Sequence, residues 1–115
     1  MLENIDMATY KIEFRRLLED APEKRLFSGR SNGEKAHEFF KLDHADKTDF
    51  FELEVPEEVV VSSSYFLGML EDIMRKYDSV DELKQHLDSS SLKGDTLAEY
   101  KRALKRGFYT NRGFF

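Results

Sequence analysis

The sequence predicts an α/β domain in which a small mixed sheet of about four strands is packed by three to four helices. The main observation is the segment Val59–Tyr77, where three consecutive valines precede three serines and an amphipathic stretch. Valine favours extended backbone, and serine is a preferred helix N-cap because its hydroxyl accepts a bond from a backbone N–H. The order therefore predicts a strand, a serine turn and a helix. The apolar residues of that helix recur at helical spacing: Phe66, Leu67, Leu70, Ile73, Met74 and Tyr77.

Alternating apolar residues predict the other strands of the N-terminal half. Ala8–Phe14 has the period of a half-buried strand, although a helical interpretation fits nearly as well. Arg25–Ser28 is predicted to return as a second strand and to close a hairpin after the turn at Pro22. A helix is expected over Gly33–Leu42. Phe50–Val55 is predicted to be a buried central strand that ends at Pro56.

Two capping-box spacings predict helices in the C-terminal half. Ser79-x-x-Glu82 precedes a short helix, and Thr96-x-x-Glu99 precedes a longer one that Gly107 is expected to end. Between them, a short strand is predicted in Gln85–Ser90. The longer helix has an apolar stripe and a basic C-terminal end: Leu97, Tyr100, Leu104 and Phe108, with Lys101, Arg102, Lys105 and Arg106.

Length and composition favour a single domain and exclude several classes of function. The chain has 115 residues, a net charge of −5 and no cysteine. Non-specific nucleic-acid binding needs clustered positive charge, so no nucleic-acid partner is expected. The apolar runs are far shorter than the ~20 residues that span a bilayer, so no membrane association is expected. We predict a cytoplasmic protein with a loose end at 1–7, one domain at 8–108 and an aromatic tail at 109–115.

Several short motifs resemble the STAS-like family of small prokaryotic domains. They are SGRSNGEKAHEF at Ser28–Phe39, the strand and serine-helix segment that begins at Phe50, and the following KYDSVDELKQHLDSSS. The resemblance covers about residues 25–106. It implies a small α/β domain like the bacterial anti-sigma-factor antagonists. Those antagonists use a serine at the start of the corresponding helix as a phosphorylation switch for binding a GHKL-type ATPase kinase.

The serine turn is the first candidate site, with Ser62, Ser63, Ser64 and Tyr65 as phosphorylation or partner-contact residues. A phosphate there adds ~1.5–2 negative charges at a helix N-terminus. Aspartate at Ser63 or Ser64 is expected to leave the fold intact. In the alternative interpretation, one serine caps the helix and the others satisfy loop backbone.

The second candidate is an anion-binding loop formed by Gly29, Arg30, Asn32 and Gly33. Arginine binds phosphate or carboxylate in a bidentate manner, and glycine-rich turns expose backbone N–H groups to anions. The alternative is a plain hairpin-to-helix turn in which Arg30 pairs with a surface carboxylate.

No catalytic residues, metal site or cofactor is predicted. The three histidines lack ligand spacing on a helix, and a structural metal site needs about four converging ligands. We therefore expect a protein-interaction module that regulates a protein partner, such as an ATPase or kinase. The alternatives are a sensor that holds a small anionic ligand, phosphate or nucleotide, across the Gly29–Gly33 loop and the Ser62–Ser64 helix start, and a phage- or defence-related inhibitor. The sequence leaves the oligomeric state open.

Overall fold

The computed structural model describes residues 7–110. Over these residues, five strands and five α-helices follow one another along the chain. The strands are β1 (Thr9–Glu13), β2 (Leu26–Phe27), β3 (Phe50–Glu54), β4 (Val60–Val61) and β5 (Leu87–Asp88). The helices are α1 (Phe14–Leu17), α2 (Arg30–Phe39), α3 (Ser63–Met74), α4 (Val80–Lys84) and α5 (Gly94–Lys105), with a 3-10 turn at Leu42–His44 and a π-helical turn at Arg106–Thr110.

The α/β class is confirmed, but the strands are arranged differently from the prediction. The described residues form two small parallel sheets, one in the order β1–β3–β5 and one of β2 and β4, in place of one mixed sheet. Helices connect the paired strands because parallel neighbours need a crossover.

The predicted hairpin is wrong. Leu26–Phe27 is a strand as expected, but it pairs in parallel with β4 and not with β1. The chain enters α1 directly after β1, so the following residues are carried away from the β1 edge.

The core is formed around the two segments that the sequence indicated, the strand around Phe51 and the helix that follows the valines and serines. β3 is the central strand, and its Phe51 and Leu53 are buried. Leu70 on α3 is fully buried, and α3 shares the greatest length, 12 residues, with α5. These predictions are confirmed, as is the short strand within Gln85–Ser90.

Several helix boundaries differ from the prediction, including the ends of α2 and α3, which lie at Phe39 and Met74 and not at Leu42 and Tyr77. α2 begins at Arg30, three residues before Gly33, because the chain turns at Gly29 with a φ of 93°. α5 begins at Gly94, so Thr96 lies inside the helix and is not its cap. Gly107 does not end the helix, since the backbone continues into the π-helical turn. A Cβ at Gly107 would lie 2.3 Å from Met74 Sδ, so close packing explains this glycine.

The aromatic tail is described only in part. Phe108 is buried and Tyr109 is 54% exposed. Phe114 and Phe115 lie outside the described residues, as do residues 1–6 of the predicted loose end.

Candidate functional site

The two candidate stretches meet at the carboxyl edge of the β2–β4 pair. The parallel register aligns Phe27 with Val61, so Ser28 and Ser62 leave the sheet at the same edge. The Ser62 N–H donates to the Phe27 carbonyl at 2.9 Å. α2 and α3 begin directly afterwards. We call the surface formed by Ser28–Asn32 and Ser62–Ser64 the paired-start face.

The start of α3 is closed by partners from its own chain. Ser62 is the N-cap, and its Oγ accepts from the Tyr65 N–H at 3.2 Å. The Ser63 N–H donates to Glu99 Oε1 at 2.7 Å, and Arg106 Nη1 donates to Ser63 Oγ at 3.3 Å. The first two of these bonds satisfy the Tyr65 and Ser63 N–H groups, which a helix start leaves unpaired, and the third holds the Ser63 hydroxyl.

The three serines differ in accessibility. Ser63 is buried, with 6% exposure, whereas Ser62 and Ser64 are half-buried. A carboxylate at Ser63 would lie near both Glu99 and Arg106 in a buried position, where desolvation disfavours its charged form. Only Ser64 therefore combines an accessible hydroxyl with a place in the first turn that does not cap the helix.

The start of α2 is open by comparison. Gly29 is the N-cap and has no side chain to accept a bond from the first turn. The Gly33 N–H bonds to the Gly29 carbonyl at 3.1 Å, and Asn32 Nδ2 donates to the Ser28 carbonyl at 3.0 Å. Ser28–Asn32 are all exposed. Within the described residues, no hydrogen bond to the Arg30, Ser31 or Asn32 N–H is found, and N–H groups left unpaired at a helix start favour negative charge.

Gly33 serves helix packing. It is buried, and a Cβ there would lie 2.1 Å from the Tyr65 carbonyl oxygen. Gly68 faces it on α3, where a Cβ would lie 2.0 Å from the Arg30 carbonyl oxygen. Glycine at both positions lets the two helix backbones come into contact. Sequence reasoning missed Gly68, although a second glycine on the adjacent predicted helix was the available signal.

Arg30 is paired with a carboxylate of its own chain. Its Nη1 lies 2.7 Å from Glu71 Oε1, and the Glu71 side chain is only 14% exposed. Arg75 Nη2 lies 3.7 Å from the same oxygen. The guanidinium of Arg30 therefore already has an anionic partner, as the alternative interpretation expected, although that partner is a largely buried carboxylate and, within residues 7–110, no hairpin precedes the turn.

Tyr65 lies in the core beneath the paired-start face. It is 3% exposed and packs against the rings of Phe14 and Phe27, at centroid distances of 5.9 and 5.5 Å. Burial raises the pKa of Tyr65 to about 12, because the phenolate is poorly solvated there. A buried neutral phenol cannot contact a partner, so we remove Tyr65 from the candidate contact residues.

Thr96 and Glu99 of α5, which were predicted to form a capping box, instead bond to β4 and to the start of α3. Thr96 Oγ1 donates to the Val59 carbonyl at 3.1 Å and accepts from the Val61 N–H at 3.2 Å. Thr96 thus ties α5 to the β4 strand, while Glu99 reaches the start of α3. Sequence spacing cannot distinguish a local cap from such a long-range bond.

Two of the three histidines contact backbone carbonyls of distant residues. His37 Nδ1 lies 2.9 Å from the Met69 carbonyl, and His86 Nδ1 lies 3.0 Å from the Asp49 carbonyl. His86 also stacks on Phe50. Across residues 7–110, no group of three or more His, Asp and Glu side chains is arranged to hold a metal ion.

Three clefts of about 440 to 580 Å³ lie elsewhere on the described chain, and none is lined by the paired-start face. The first lies at the carboxyl ends of β3 and β5, a common ligand position in parallel sheets. Its charged lining is mixed in sign and includes Glu52, Glu54, Asp88, Arg15 and Lys93. The sequence did not predict this cleft because the pairing of β3 with β5 was unknown.

Comparisons with protein-family models, curated proteins and solved structures give no match. None of the helices in residues 7–110 has the length and apolar character needed to cross a bilayer.

Proposed function

We propose that this chain is a regulatory protein-interaction module that binds a protein partner on the paired-start face. The observation that carries the proposal is the meeting of two helix starts at one edge of the β2–β4 pair, where the residues at the α2 start are exposed. Sequence patterns had indicated each of these two stretches as a candidate site.

The position of the clefts favours a protein partner over a small ligand. Small-molecule sites are concave and enclose most of the ligand. The three clefts described above lie away from the paired-start face, whose α2 side consists of exposed polar residues. A partner protein can cover such a surface without a cavity.

The open first turn of α2 indicates which group of the partner binds there. Ser31 and Asn32 lie in the first turn of a 10-residue helix that lacks a side-chain cap. Exposed N–H groups at a helix N-terminus favour a carboxylate or phosphate. We therefore expect the partner to present an acidic or phosphorylated side chain. The STAS-like resemblance makes an ATPase or kinase of the GHKL type our preferred partner class.

Ser64 is the position at which we place the regulatory switch. It is half-buried, and its hydroxyl does not cap α3. A phosphate on Ser64 would add negative charge beside the open start of α2, where it would compete with the partner's anionic group. We expect Ser64→Asp to weaken partner binding and Ser64→Ala to retain it, with both variants folded.

Site-specific photo-crosslinking in cells of the source organism tests the proposal. A photoreactive residue at Ser31 or Ser64 should capture the same protein. A control at Lys47, which is exposed and follows the 3-10 turn, should not. A protein captured equally from Lys47, or different proteins from Ser31 and Ser64, would contradict a single docking surface.

The anionic-ligand alternative has its own test. The open α2 start and the capped α3 start lie side by side, as a phosphate sensor would require. Inorganic phosphate at 100 times its Kd should then stabilise the fold by about 2.7 kcal/mol. A phosphate-dependent rise in Tm that Asn32→Ala removes would favour the sensor over the interaction module.

A further inference from the structure

A groove between α4 and α5 has an apolar floor. Val80 of α4 and Leu97, Tyr100 and Leu104 of α5 line a space of about 450 Å³. This volume is within the range of pockets that enclose ligand groups. Burial raises the pKa of Tyr100 to about 12, so its phenol is neutral at ordinary pH.

The groove lies on the side of α5 that faces away from the paired-start face. Leu97, Lys101 and Leu104 follow one line along the helix, at spacings of four and three residues. Glu99 and Arg106, which bond to Ser63, belong to the opposite side. A molecule in the groove would therefore leave the paired-start face uncovered.

The rim of the groove is basic, although the chain as a whole is acidic. Lys84, Lys101 and Lys105 line it with Asp81 as the one acidic side chain, whereas the net charge of the chain is −5. All three lysines are exposed. Lysine stems extend apolar surface while the ammonium groups remain in water. The groove thus has an apolar floor and a positively charged rim.

We propose that this groove binds an acidic amphipathic helix of a protein partner. The apolar stripe of such a helix would fill the floor, and its flanking carboxylates would meet the lysines, as in helix-in-groove recognition. The chain's own residues 111–115 are a poor charge match, because they include one arginine and no acidic residue. The proposal adds a second docking surface and does not rest on the function proposed for the paired-start face.

The test uses a labelled helical peptide with leucines at i, i+4 and i+7 and glutamates beside them, and it measures fluorescence anisotropy with the full chain. We expect the double variant Lys101→Glu/Lys105→Glu to bind about tenfold more weakly, because two attractions to the peptide glutamates become repulsions. A tenfold change in Kd corresponds to about 1.4 kcal/mol. The matched control Lys35→Glu/Lys76→Glu changes the net charge equally, away from the groove, and should bind like the wild type. Thermal melts establish that all variants are folded.

A charge-swapped peptide completes the experiment. Lysines in place of the glutamates should restore binding to Lys101→Glu/Lys105→Glu and abolish binding to the wild type. Equal weakening by both double variants would overturn the proposal, because it would show non-specific attraction. Absence of binding to the full chain would also overturn it. If peptide binding then appeared after removal of residues 111–115, the tail would be the occupant of the groove. Lysine-dependent binding of anionic vesicles would instead indicate a membrane. Lysine-dependent dimers would indicate a second copy of the chain.

Discussion

Two helices begin side by side at the carboxyl edge of the β2–β4 pair, α2 after Gly29 and α3 after Ser62. The α3 start is closed by its cap, by Glu99 and by Arg106. The α2 start has a glycine cap and an exposed first turn. The same kind of strand-to-helix junction is therefore bonded within the chain at the α3 start and accessible to a partner at the α2 start.

The difference originates in residues that are distant in sequence. Glu99 lies 36 residues from Ser63, and no comparable acidic group of the described chain reaches the first turn of α2. The nearest carboxylate partner of α2 is Glu71, which pairs with the Arg30 side chain and leaves the backbone N–H groups open. A helix start is thus available for binding only where tertiary packing supplies no partner.

The largest expected effect concerns three buried tyrosines, of which Tyr65 lies beneath the two helix starts, and it should appear at alkaline pH. Burial raises the pKa values of Tyr65, Tyr77 and Tyr100 from 10.0 to about 12. Because these folded-state values exceed the unfolded one, their contribution is complete below pH 10 and is lost as the pH rises through about 12. Circular dichroism and tyrosinate absorbance should change together in this interval. Complete ionisation near pH 10 in a folded chain would contradict the buried position of Tyr65.

Leu70→Ala should destabilise more than any single substitution in Ser28–Ser31. Leu70 is fully buried on α3, and deletion of a buried leucine side chain costs about 2–5 kcal/mol. The strongest competitor is Gly29→Ala, where a φ of 93° is unfavourable for alanine by about 1–3 kcal/mol. Urea denaturation of both variants measures the difference. Equal midpoints would show that α3 does not carry the core.

Gly33→Ala should cost about 3 kcal/mol and should disturb both starts together. The added Cβ would meet the Tyr65 carbonyl oxygen, which is backbone and cannot rotate away. Gly94→Ala is the matched control, because a Cβ there meets nothing within 4 Å and only the positive φ opposes it. In thermal melts, the Tm of Gly33→Ala should lie well below the Tm of Gly94→Ala. The reverse order would contradict the close crossing of α2 and α3.

The smallest expected effect separates the two starts directly. Ser62→Ala should destabilise by about 1 kcal/mol, because the Tyr65 N–H loses its acceptor. Ser31→Ala should be nearly neutral, since Ser31 is exposed and its hydroxyl makes no bond within the described chain. Denaturant midpoints for the two alanine variants test this. Similar losses at both serines would mean that the α2 start is also capped.

Local patterns predicted much of the fold and little of the site. Three confirmed predictions depend only on residues close in sequence. They are the apolar stripe of α3 that includes Leu70, the strand that contains Phe51, and the helix cap in the serine turn. The partner of β2, the bond from Thr96 to β4 and the contact of Gly33 with Tyr65 depend on tertiary placement. Thr96-x-x-Glu99 has the spacing of a capping box, yet both side chains bond to elements more than 30 residues away. The accessible part of the site could be identified only after these contacts were known.

Amide hydrogen exchange, measured with and without the protein captured by photo-crosslinking, tests the central claim most directly. In the free chain, the N–H groups of Ser31 and Asn32 should exchange rapidly, and those of Ser63 and Tyr65 slowly. On addition of the partner, Ser31, Asn32 and Ser64 should become protected while Lys47 is unchanged. Protection that appears elsewhere and leaves Ser31 and Asn32 in rapid exchange would contradict docking on the paired-start face.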